Sequence, residues 1–201
     1  VGRLVHREVA PDVVGADGPD EIVIRLLGHG LLEGQRVGVY GGEGRIAADS
    51  LIADSKSGAS GAGRKADLAL SFCEINENLK AYKVNEHQHK PEINLILSKV
   101  SGVSVDVVFT PHLIPMNRGI LSTIYMKLAK PLDTAAAVAL YRDFYKGKPF
   151  VRISDEGKLP QIRDIVGTNY CDIGVKVTGD TLIAVSCIDN LKKGAAGQAV
   201  Q

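Results

Sequence analysis

The sequence has 201 residues, a formal net charge of +1 and 45% hydrophobic residues, enough to bury a sizeable core in one domain or slightly more. No basic run gives the electrostatic footprint of a nucleic-acid binder, and no stretch approaches the roughly 18 consecutive apolar residues of a membrane span. Cys73, Cys171 and Cys187 are odd in number, far apart and without CxxC spacing, which argues against a disulfide framework or a cysteine zinc site and for a reducing, cytoplasmic compartment.

Composition changes near residue 50. Residues 1–50 contain arginine but no lysine, and they hold 10 of the 22 glycines. Their turn-rich stretches "GADGPDE" and "GVYGGEGR" leave only "EIVIRLL" and "RVGVY" as short strand-like runs. Residues 1–49 therefore read as an atypical segment, set apart from a domain over 50–201. Val1 in place of methionine suggests that the true start is missing, and no signal-peptide pattern opens the chain.

From residue 50 the signals sharpen. "SLIAD" predicts a short strand feeding "SKSGASGAGRK", a glycine-rich loop able to bring backbone N–H groups against a ligand. The basic residues that bracket its glycines favour an anion; the alternative is a flexible surface loop. The pattern is neither the phosphate loop of nucleotide hydrolases nor GxGxxG. "HQHKPEI" sets His87 and His89 ahead of Pro91, a residue suited to the first turn of a helix. That helix runs through "PEINLILSKVSG", where Ile93, Ile96, Leu97 and Val100 recur at helical spacing.

"SVDVVFT" alternates like a strand, "PHLIPMNRG" is a loop, and "ILSTIYMKLA" is a longer strand. "TAAAVALYRDFYKG" predicts a helix capped by Asp133 or Thr134 and stopped by Gly147. "PFVRI", "CDIGVKV" and "TLIAVSCID" are three more strands, and "NLKKGAAGQAVQ" opens a last helix. The order predicts an α+β fold with a mostly antiparallel mixed sheet.

If extended, the histidine segment would aim His87 and His89 at opposite faces, so at most one should meet a given site. A single histidine is more often structural than catalytic. As metal ligands the pair lacks a third donor at known spacing, so no metal is assigned. An acid/base role needs a partner within hydrogen-bond reach, which spacing does not reveal.

"SKSGASGAGRK", "FCEINENLKAYKVNEHQHKPEI", "FTPHLIPMNRGILSTIY", "PFVR", "GTNYCDIG" and "IDNLKKGAAGQAVQ" occur in that order, and together they resemble the N-acetyl-γ-glutamyl-phosphate reductases of arginine biosynthesis. The resemblance covers about residues 50–201. It implies the catalytic and dimerisation domain of such a reductase, similar to the C-terminal domain of glyceraldehyde-3-phosphate and aspartate-semialdehyde dehydrogenases, with NADP as cofactor and homo-oligomeric assembly. In that family a cysteine thiolate attacks an acyl phosphate, phosphate leaves, NADPH delivers hydride, and a histidine acts as acid/base.

Carried onto this chain, the resemblance makes His89 the catalytic histidine and His87 its neighbour in the substrate site. Ser57, Ser60 and Arg64 would contact substrate or phosphate, with Arg118 as a second oxyanion candidate or, equally, a salt bridge at the loop base. Asn190, Gly194 and Ala195 would lie beside the nicotinamide; their alternative is plain helix packing. Gln88 stands where the family has arginine, which removes an anion contact there.

Two departures follow. The family's "GCxxT" nucleophile has no counterpart before Cys73, and 50 residues are too few for its Rossmann domain, so a truncated and impaired reductase is expected, or a non-catalytic dimerisation module. Back-translating "RLLGHG", residues 25–30, and shifting the frame by one base yields Gly-Cys-Leu-Ala-Thr. Residues 1 to about 48 are accordingly expected to be a frame-shifted reading of the reductase's own gene.

Overall fold

The computed structural model describes residues 46–47, 49–63, 66–101 and 103–201. The strand-like runs and the frame-shifted motif expected before residue 46 lie outside the described residues, as does Arg64. A seven-stranded mixed sheet organises the rest, with strands β1 (Ile52–Gly58), β2 (Lys80–Ala81), β3 (Val108–Ile114), β4 (Ile120–Lys127), β5 (Val151–Ile153), β6 (Cys171–Thr178) and β7 (Thr181–Ile188) in the order β2-β3-β1-β4-β7-β6-β5. The β1–β3 and β5–β6 pairs are parallel and the others antiparallel, so the α+β expectation holds.

Strand alternation sorts the sheet into two faces. Phe109, Ala53, Ile124, Ala184 and Val175 stand in one row across five strands, and all are buried. Helices α2 (Lys90–Ser101) and α3 (Thr134–Phe144) cover this face through Ile93, Ile96 and Leu97 and through Ala137, Val138 and Tyr141. The predicted helical spacing is thus the packing stripe. Asp133 caps α3, its carboxylate accepting the Ala136 N–H at 2.7 Å. Gly147 follows at φ 79°, the left-handed stop that glycine adopts without strain.

The next row lies on the opposite face and is open. Val108, Ile52 and Tyr125 stand side by side, 46%, 44% and 39% exposed.

Three boundaries differ from the sequence reading. β1 runs on through "SKSG", and β3 runs from Val108 to Ile114, taking in "PHLI". Pro111 is tolerated inside β3 because its carbonyl accepts the Tyr82 N–H beside two-residue β2, an edge strand; the N–H it lacks would face that same short edge. The final segment is not one helix: a wide turn over Lys192–Ala196 is broken at Ala195 (φ −151°, ψ −109°) before the single turn α4 (Gly197–Val200). Between β1 and β2 the chain forms short 3-10 turns and the one-turn helix α1 (Phe72–Ile75).

Candidate active site

A cavity of about 530 Å³ opens above the helix-side face, where β1, β3 and β2 run beside one another. Its floor is two registered rows, Ser57–Leu113–Lys80 and, one pleat on, Ser55–Pro111–Tyr82. Hydroxyls therefore sit at the β1 end and cation and phenol at the β2 end, about 10 Å away at two strand spacings. Ser55 Oγ shares a hydrogen bond of 2.9 Å with buried Ser122 Oγ behind it on β4, and Ser57 Oγ donates to the Gly58 carbonyl at 3.2 Å.

His87 and His89 both line this cavity, their ring centroids 4.8 Å apart. The expectation that they face apart fails because the segment is turned, not extended: the Lys90 N–H reaches the His87 carbonyl at 2.9 Å and the Ile93 N–H the His89 carbonyl at 2.9 Å. His89 is thus the residue just ahead of α2. His87 Nδ1 accepts the backbone N–H of His89 at 3.2 Å, which puts the ring proton on Nε2. Tyr82 and Phe109 meet the His87 ring edge-on at 5.6 and 5.5 Å. Burial, then the neighbouring His89 and Lys83, lowers the His87 pKa to about 4, so this imidazole is neutral at physiological pH. Burial also holds the Tyr82 phenol above its ordinary pKa, and it stays a donor.

The glycine-rich stretch is used differently from its sequence reading. The N–H groups of Gly58, Ala59 and Ser60 donate to the carbonyls of Gly119, Met116 and Asn117, so these amides clasp the β3–β4 loop and are not offered to an anion. A Cβ on Gly58 would come within 2.9 Å of the Met116 carbonyl oxygen, which is why the position is glycine. Ser60 Oγ donates to the Asn117 carbonyl and accepts from Asn190 Nδ2 at 2.9 Å. Buried Asn190 completes the latch, its Oδ1 accepting the Gly119 N–H at 2.8 Å. Of the four predicted substrate contacts described here, Ser57 and His87 line the cavity, whereas Ser60 and Arg118 do not.

Arg118 Nη1 lies 3.5 Å from the Asp189 carboxylate, the loop-base salt bridge foreseen as its alternative. Asp189 itself gave no signal in the sequence. It is fully buried and gathers the N–H groups of Gly167, Leu191 and Lys192 at 2.7–3.0 Å. Burial alone would raise its pKa, but those three amides and Arg118 bring it below the ordinary carboxylate value. The sheet's other face carries a second unforeseen group, Asp54 with Lys56 at 2.8 Å and His112 at 3.1 Å.

Two of the three residues suggested for the cofactor already have partners within the fold. Asn190 is committed to Ser60 and Gly119, and the buried Gly194 donates its N–H to the Asp189 carbonyl at 2.9 Å; Ala195 alone is exposed. No cysteine lines the cavity. Cys73 is exposed and Cys171 and Cys187 are buried, with burial, then Asp172 and Asp164, pushing the Cys187 thiol up to about 12. Among the described residues no group of three His, Cys, Asp or Glu is placed to hold a metal, and no helix is long and apolar enough to cross a membrane.

The family described as semialdehyde dehydrogenase, dimerisation domain, matches residues 42–190. The chain belongs to that family. A Pelotomaculum thermopropionicum N-acetyl-gamma-glutamyl-phosphate reductase is 53% identical over 158 residues, 78% of this chain and 46% of that protein. The Staphylococcus aureus (strain USA300) N-acetyl-gamma-glutamyl-phosphate reductase is 53% identical over 154 residues, 76% and 45% of the two chains. The chain thus spans slightly under half the length of these relatives. The crystal structure of aspartate semialdehyde dehydrogenase II from Vibrio cholerae superposes with a TM-score of 0.63 at 16% identity, covering 85% of this chain and 57% of that one, a likeness of fold.

Proposed function

We propose that this chain is the substrate-binding and dimerisation part of a cytoplasmic, NADPH-dependent reductase of N-acetyl-γ-glutamyl phosphate, with residues 50–201 forming that domain and His89 acting as acid/base. The observation that carries the reading is the placement of His87 and His89 on one wall of a cavity whose floor holds Ser55 and Ser57. Neutral His87 presents an Nε2–H donor to an acyl oxygen, while His89 exchanges a proton with the reacting group. Such a proton-transferring group is worth about 10²- to 10⁴-fold in rate. NADPH, when bound, supplies the hydride. Ser57 offers a hydroxyl to the phosphate, and Arg64 is proposed as its cationic partner.

The open row of Val108, Ile52 and Tyr125 supports homo-oligomeric assembly through the sheet, since exposed apolar area of this kind is covered in stable assemblies. A second reading has its own support: no cysteine stands at the cavity, which favours a dimerisation module without catalysis.

The test is phosphate-dependent reduction of NADP by N-acetylglutamate semialdehyde, the reaction run backwards, with His89→Ala as comparison. Turnover that drops in His89→Ala supports the catalytic reading. Turnover that does not change with His89 overturns the histidine's role. No turnover, with the chain still self-associating, leaves the non-catalytic module as the answer.

A further inference from the structure

Among the described residues, the cavity wall carries more positive than negative charge. Lys80 and Lys83 line it, and Asp67 is the one carboxylate there, already accepting the Ala69 N–H at 2.9 Å. Lys83 forms no ion pair among the described residues, and Lys80 Nζ reaches only the Ala69 carbonyl, at 3.4 Å. Both come from β2 and the turn after it, where the backbone lies about two strand spacings, or ~10 Å, from Ser57. Lys83 also holds a left-handed backbone, φ 45°, as does Asn85, φ 57°. Asn85 ties this turn to β3 by donating its N–H to the Phe109 carbonyl at 2.8 Å.

We infer that Lys83, assisted by Lys80 and the Tyr82 hydroxyl, forms a carboxylate subsite that recognises the α-carboxylate of an N-acylated amino-acid phosphate. The inference rests on the acyl-phosphate reading above and deepens it. A five-carbon acyl phosphate has its two anionic ends about 8 Å apart at bond lengths of ~1.5 Å. With one end at the β1 hydroxyls, the other falls beside the β2 lysines. The electrostatic influence of Lys83 on His87 agrees with its charge lying over the cavity. An ammonium without a counter-ion among the described residues gains most from a ligand carboxylate when the site is partly desolvated.

The experiment is isothermal titration of the whole chain with three probes: inorganic phosphate, N-acetyl-L-glutamate, and N-acetyl-L-isoglutamine, in which the α-carboxylate alone has become an amide. The expected result is binding of N-acetylglutamate at least about 10-fold tighter than its α-amide, a preference lost in Lys83→Met and kept in Lys83→Arg. Phosphate affinity should stay the same in all three proteins. Melting temperatures of the variants matching the parent exclude unfolding as the cause. Equal affinity for the two acylated ligands, or a preference that survives Lys83→Met, overturns the subsite while phosphate binding leaves the acyl-phosphate reading standing. Preference for the α-carboxylate without any phosphate binding supports the subsite and counts against that reading. Binding of none of the three overturns both.

Discussion

His87 Nδ1 and the backbone N–H of His89 are joined by a hydrogen bond of 3.2 Å, so the backbone of one histidine fixes the proton on the ring of the other. Burial, with the nearby His89 and Lys83, also makes His87 an acid-labile point. Its pKa is about 4 in the fold against about 6.5 in an unfolded chain, so between these values the unfolded chain binds the extra proton. Stability therefore rises with pH across the window from 4 to 6.5 and is lost as pH falls through it. Urea melts at pH 4.5, 5.5 and 7 should show this rise in the parent and a flatter profile in His87→Gln; equal slopes would remove His87 from the acid limb.

Asn190→Leu should destabilise by about 1–3 kcal/mol, because it leaves the buried Gly119 N–H without its acceptor. Asn190→Asp keeps that acceptor but loses the donation to Ser60 and buries a carboxylate next to Asp189, so at a pH low enough to protonate the new side chain its denaturation midpoint should fall between the parent's and that of the leucine variant. The same midpoint for both substitutions would mean that the latch to Gly119 contributes nothing.

Gly58→Ala puts a methyl group within 2.9 Å of the Met116 carbonyl oxygen, and backbone on both sides leaves no flexible side chain to yield. A cost of about 1–3 kcal/mol is expected. Chemical denaturation measures it, and hydrogen exchange should report faster opening at Ala59 and Ser60, whose N–H groups clasp the same loop.

Tyr125→Asp introduces a charge into the open row, beside Ile52. If assembly runs through this face, sedimentation equilibrium should show self-association weakened by 10-fold or more with the fold intact by circular dichroism. Unchanged association would move the interface elsewhere.

Much of this architecture was legible from local chemistry. The 3.6-residue spacing of Ile93, Ile96 and Leu97 is the buried stripe of α2, and Asp133 caps α3 where a short acidic side chain before an alanine run should. What local pattern cannot carry is the partner across the sheet. Pro111 reads as a strand breaker until β2 is seen to be a two-residue edge. The glycine-rich stretch after Ser57 reads as a ligand cradle until the β3–β4 loop takes the amides of Gly58, Ala59 and Ser60. Asp189 looks like any strand-end aspartate, since Gly167, Leu191 and Arg118 converge on it only in three dimensions. The two histidines share a wall because the Lys90 N–H closes a turn onto the His87 carbonyl, which an extended reading of the segment misses.

β1 divides its side chains strictly by parity: Ser55 and Ser57 serve the cavity, while Asp54 and Lys56 pair on the opposite face. Loss of a single residue between Ala53 and Ser57 would exchange the two sets, burying charge under the helices and turning hydroxyls towards the open face. This stretch should therefore be far less forgiving of a one-codon deletion than of point changes, and a compensating one-residue insertion within the same strand should restore it better than any substitution elsewhere.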